Sequence, residues 1–102
     1  MDPLPLAPYR SAIAELCRRH GVASLALFGS AARGEFKPGA SDYDFLIELD
    51  PAAPGSRAAR LVDFAEGLEA LLGAHVDLVN PRYIRNPYFA AEVARTRVPI
   101  YA

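Results

Sequence analysis

Asp42 and Asp44 place two carboxylates two positions apart, with Tyr43 between them. Side chains on an extended strand alternate faces, so the pair projects to one side. Tyr43, Phe45, Ile47 and Leu49 then take the other side. Like charges this close repel, and burial would raise at least one pKa unless a cation holds them. Mg²⁺ is the common hard cation for such a pair, taking oxygen ligands and usually phosphate oxygens as well. Alone, the pair reads equally as two surface aspartates at a strand opening in solvent.

Two further groups change its meaning. In Phe28-Gly29-Ser30 an apolar run ends in Gly-Ser and turns toward a helix. Free backbone N–H groups and a hydroxyl at a helix start form an anion site, and Arg33, one turn later, is within reach of the same phosphate. The loop is no Walker A motif, because the second glycine and the Lys-Ser/Thr are missing. A second Gly-Ser at Gly55-Ser56 is a reminder that such a pair is often a plain helix cap. Asp77 lies inside the apolar run Val76-Asp77-Leu78-Val79, where an ionised carboxylate is costly to bury without a partner. It reads either as an edge-strand residue facing water or, if its strand neighbours the one bearing Asp44, as the third carboxylate of a metal triad. In the second case it can also take a proton from an attacking hydroxyl. His75 shares its strand face, where a lone histidine is more often structural than catalytic. Jointly, a phosphate cradle, paired carboxylates and a third carboxylate describe metal-assisted nucleotidyl transfer. Two Mg²⁺ ions would bridge the triphosphate and the acceptor oxygen.

The elements that must position these residues follow from periodicity. Residues 8–20 read as a helix with Ile13, Leu16 and Cys17 on one face, Pro8 in its first turn, and His20-Gly21 ending it. Val22 to Phe28 is wholly apolar, as a strand buried on both faces would be. A short helix opens near Ser30 and stops at Gly34, and residues 37–41 are turn chemistry. Tyr43 to Leu49 is a second strand. Ser56 caps a long helix carrying Leu61, Phe64, Leu68 and Leu72, which Gly73 closes. Residues 74–79 form a third strand, and Asn86-Pro87 opens a last helix to about Arg95, leaving a tail. The expected architecture is a single α/β domain over residues 1–102, a short mixed sheet covered by helices in the order α-β-α-β-α-β-α.

Composition narrows the classes. The chain has 102 residues, one domain's worth, and nineteen of its apolar residues are alanine, so its core is small. Eleven basic residues, ten of them Arg, meet twelve acidic ones for a net charge of −1, without the basic excess of a general nucleic-acid binder. One cysteine, Cys17, precludes an internal disulfide framework and suits a reducing compartment. The start lacks a basic n-region, and no apolar run approaches a membrane span. A cytoplasmic protein is expected.

The motifs resemble those of a known family. Phe28-Gly29-Ser30-Ala31-Ala32-Arg33-Gly34-Glu35, then Ser41-Asp42-Tyr43-Asp44, then His75-Val76-Asp77-Leu78-Val79 are similar to the minimal nucleotidyltransferases of the polymerase β-like superfamily. The likeness runs on to Val98-Pro99-Ile100-Tyr101. One departure is a spacing of eleven residues between Ser30 and Asp42, one more than the family usually has. The resemblance implies that Asp42, Asp44 and Asp77 bind Mg²⁺, with Asp77 as third ligand or base, and that Gly29 and Ser30 hold the distal phosphates of ATP. It further implies an antitoxin, encoded beside a HEPN-domain ribonuclease toxin, which transfers AMP to a tyrosine hydroxyl of that partner. The short stretch after Asp77 favours a protein acceptor, since relatives that modify small molecules add a second domain. Transfer to a small molecule, or an antitoxin that binds without turnover, are the alternatives.

Overall fold

In the computed structural model, which describes residues 6–35, 37 and 42–102, the apolar run Val22–Phe28 forms strand β1, second from one edge of a four-stranded sheet. Leu25 and Leu27 face one layer and Ala26 and Phe28 the other, which is why the run carries no polar alternation. Strand β2, Tyr43–Leu49, lies antiparallel to β1, and β3, Val76–Val79, runs parallel to β2 on its far side. Strand β4, Val98–Tyr101, is antiparallel to β1 and closes the order β3-β2-β1-β4.

Helices α1, Arg10–Arg19, and α3, Arg57–Leu72, cover one face. Ile13 and Cys17 of α1 and Phe64 and Leu68 of α3 pack on Leu25, Leu27, Phe45 and Ile47. Each large apolar side chain fully buried there contributes about 1.5–3 kcal/mol. Helix α4, Pro87–Thr96, covers part of the other face, where Val93 meets Ala26, Phe28 and Leu46. Helix α2, Gly29–Ala32, continues directly from β1. The expected caps form: the Ser56 hydroxyl accepts from the Ala59 N–H at 3.1 Å, and Asn86 Oδ1 accepts from the Tyr88 and Phe89 N–H groups.

Several boundaries differ from expectation. The first helix begins at Arg10, after a 3-10 turn over Ala7–Tyr9. The third strand starts at Val76, not residue 74. The tail is not featureless: it forms β4, where Pro99 is tolerated because an edge strand needs no outward N–H. Arg60 of α3 is buried, and its Nη1 donates to the carbonyls of Gly21 and Asp50. It ties the α1–β1 turn to the loop after β2. Gly21, at φ 67°, has no room for a Cβ, which would sit 2.7 Å from Arg60 Nη1. The turn expected over residues 37–41 lies outside the described residues except for Lys37, as does the opening 1–5.

Candidate active site

The sheet brings three strand ends together. Because β1 and β2 are antiparallel, β1 ends where β2 begins, with Phe28 opposite Asp44. Because β2 and β3 are parallel, β3 also begins there, and Asp44 aligns with Asp77. Leu46 and Val79 point into the α4 layer, so by alternation Asp44 and Asp77 share that side, and Tyr43 and Phe45 take the α1/α3 side. The pairing of Asp77 with the Asp44 strand and its place on an exposed edge strand therefore hold together.

At the end of β1 the backbone turns at Gly29, φ 75°. A Cβ there would lie 2.7 Å from Asp44 Oδ2. Only glycine combines this left-handed turn with so close an approach of the carboxylate. The N–H groups opening α2 have no partners within the helix, as at any helix start. Ser30 sits inside α2 and does not cap it: the helix begins one residue earlier, at Gly29, and the Ser30 carbonyl accepts from the Glu35 N–H at 2.8 Å. Arg33 follows the helix with its guanidinium engaged by carboxylates, Nε donating to Glu35 Oε2 at 3.0 Å and Nη1 lying 3.5 Å from Glu92 Oε1. Glu92 also binds Arg95.

Burial, with the neighbouring charges of Asp77 and Asp42 and a hydrogen bond shared with Asp77, pushes the Asp44 carboxyl above its ordinary value. His75 opposes that rise. One donor atom each from Asp42, His75 and Asp77 lies within 4.8 Å of the others. Two of the three residues are carboxylates, which supply the oxygen ligands a hard divalent cation takes. The carboxylate oxygens and the uncompensated charge on Asp44 fit a divalent cation. The ring of donor atoms takes in His75, which sequence reasoning set aside, while Asp44 stands against Asp77 beside it.

His75 is held from both sides. Its Nε2 is 3.1 Å from Asp77 Oδ1 and its Nδ1 is 2.8 Å from Glu69 Oε2. That Glu69 oxygen also accepts the Val76 N–H at 3.0 Å. The hydrogen bond to Asp77, with the charges of Asp77, Asp42 and Glu69 acting against desolvation, raises the His75 pKa. The His-x-Asp spacing on one strand face was the available signal for this contact. For Glu69, on a helix, there was none. A concavity of about 380 Å³ between α3 and the sheet, lined by Ile47, Leu61 and Leu78, lies further along β2 and β3, away from the carboxylates.

The sequence matches the nucleotidyltransferase domain profile over residues 10–99. The Methanocaldococcus jannaschii protein MJ1379, named a candidate protein adenylyltransferase, is 41% identical over 86 residues, 76% of this chain and 84% of its own. The protein adenylyltransferase MntA of Thermococcus cleftensis is 42% identical over 65 residues, 64% of this chain and 62% of its own. A solved candidate minimal nucleotidyltransferase superposes with a TM-score of 0.74 at 34% identity, covering 97% of this chain and 96% of that one. The same fold recurs in a toxin–antitoxin crystal structure with AMP-PNP, TM-score 0.67 at 24% identity, over 91% of this chain and 73% of that one. It recurs again in the complex of tri-AMPylated Shewanella oneidensis HEPN toxin with its MNT antitoxin, TM-score 0.60 at 22% identity, over 93% and 71%.

Proposed function

This chain belongs to the nucleotidyltransferase domain family, and from that premise we propose that it transfers AMP from ATP to a tyrosine hydroxyl of a HEPN-domain toxin, acting as that toxin's antitoxin. The observation that carries the reading is the in-register pairing of Asp44 with Asp77, with Asp42 beside them, at the sheet end where Gly29 opens α2. The named activity of the M. jannaschii and T. cleftensis relatives supports adenylyl transfer to protein. The HEPN complex of the structural neighbour supports the partner class.

In the reaction the tyrosine Oη bonds to the α-phosphorus, the α–β phosphoanhydride P–O bond breaks, and pyrophosphate leaves. Asp77 is exposed enough to face the incoming hydroxyl and takes its proton at a carboxylate oxygen. The N–H groups at Gly29 and Ser30 bind the distal phosphates. Arg33 exchanges Glu35 and Glu92 for a phosphate oxygen. Asp42, Asp44 and Asp77 would hold Mg²⁺, as a pair of ions, whose charge offsets that of the triphosphate and of the carboxylates. Catalysis is then mostly positioning and charge neutralisation. The proposal extends to one nucleotidyltransferase domain over residues 1–102, a partner encoded by the adjacent gene, and a cytoplasmic setting. Among the described residues no helix is long and apolar enough to cross a membrane.

The test is co-expression with the neighbouring HEPN protein and mass spectrometry of that protein. The expected result is an added AMP on a tyrosine, absent when Asp42→Asn and Asp44→Asn are combined in a variant that keeps its circular dichroism. Undiminished labelling by that variant would remove the triad from the mechanism.

A further inference from the structure

We propose that His75, itself fixed by Glu69, is a positioning residue for Asp77: it occupies one carboxylate oxygen so that the other is presented to the cation and the attacking hydroxyl. The inference rests on the adenylyl-transfer reading for its chemistry, but its geometry is independent of the acceptor.

Asp77 differs from its neighbour Asp44 in how it is held. Asp44 is half-buried and pressed against the Gly29 turn. The Asp77 side chain is 52% exposed on an edge strand, where little packing restricts its rotation. Its Oδ1 faces His75 Nε2 at 3.1 Å. A lone histidine would be as free as the aspartate it touches, but Glu69 removes that freedom by meeting Nδ1 at 2.8 Å. Glu69 is anchored in turn by the N–H of Val76, the residue between His75 and Asp77. The contacts close a ring from the last turn of α3 to the start of β3, and His75 engages only Oδ1 of the two Asp77 oxygens. Holding a reacting group before the substrate arrives removes an ordering cost from the barrier. Partners that orient a metal-binding group typically change metal affinity or activity by about 10–100-fold. Exposed ion pairs contribute little to stability, so the ring can be cut without unfolding the protein.

The experiment compares the full chain with His75→Ala, His75→Gln and Glu69→Gln, using Mn²⁺ as the probe. Calorimetry without nucleotide should show Mn²⁺ affinity reduced about tenfold or more in His75→Ala and partly recovered in His75→Gln, which keeps a donor. Glu69→Gln should fall between wild type and His75→Ala. In the transfer assay kcat should drop with little change in the KM for ATP, and the melting temperature should stay near wild type. Pulsed electron paramagnetic resonance of the Mn²⁺-loaded wild type should lack the strong nitrogen coupling of a directly bound imidazole. Unchanged Mn²⁺ affinity in His75→Ala, no Mn²⁺ binding by wild type, or a strong nitrogen coupling would each overturn the proposal. Because affinity is read without acceptor or ATP, a wild type that binds Mn²⁺ yet labels no partner defeats the proposed function and not this inference.

Discussion

Gly29 and Asp44 occupy one narrow space, and each restricts what the other can be. A side chain at Gly29 meets two penalties: a left-handed φ of 75° and a Cβ 2.7 Å from Asp44 Oδ2. Gly29→Ala should cost at least about 1–2 kcal/mol from the backbone alone, read by urea denaturation, and should weaken Mn²⁺ binding by displacing the carboxylate. Asp44→Asn should do the opposite to stability. The raised pKa means the folded state binds the Asp44 proton more readily than the unfolded chain does. Between the ordinary value of 3.8 and the raised one, stability of the metal-free protein therefore falls as pH rises. An uncharged amide at this position carries no such penalty, so in EDTA at neutral pH the Asp44→Asn variant should melt higher than wild type, and the gap should close on acidification. A wild type no less stable at neutral pH than Asp44→Asn would contradict this. The carboxylate positions were legible because strand alternation is a two-residue rule that needs no knowledge of the rest of the chain. The Glu69–His75 contact was not legible, since it depends on how α3 exits toward β3 rather than on any spacing.

At the scale of elements, the long-period signals carried well. The apolar run of β1, the stripe of α3 and the caps at Ser56 and Asn86 all form, because each is a local choice that packing then reinforces. Short elements escaped. β4 is four residues with a proline, too brief for alternation to stand out, and only its pairing with β1 makes it a strand. Ser30 looked like a cap, but the positive φ of Gly29 lets the helix start a residue sooner. Asn86 matters beyond its own helix, since it seats α4, which sets Phe89 edge-on against Phe28 and Val93 on the sheet. Asn86→Ala should cost about 1 kcal/mol in chemical denaturation, and a cost near zero would mean the cap is redundant with Pro87.

The whole molecule is a mixed sheet with a full helical layer on one side and a partial one on the other, so the carboxylates stand at the margin of the thinner layer. The net charge of −1 hides this local excess of negative charge. A small core gains measurably from any ligand that binds only the folded form. Mg²⁺ with ATP should raise stability by about 2.7 kcal/mol at a hundredfold excess over Kd, seen as a higher melting temperature. No shift at millimolar ATP would argue against a nucleotide site. The alignment of Asp44 with Asp77 has a consequence for folding order. The two residues are joined through all of α3, so a chain with β1, β2 and α1 in place still lacks one of the three carboxylates. Closing that long loop is slow compared with winding a helix. The cluster of three carboxylates is therefore complete only once the third strand has docked beside the second.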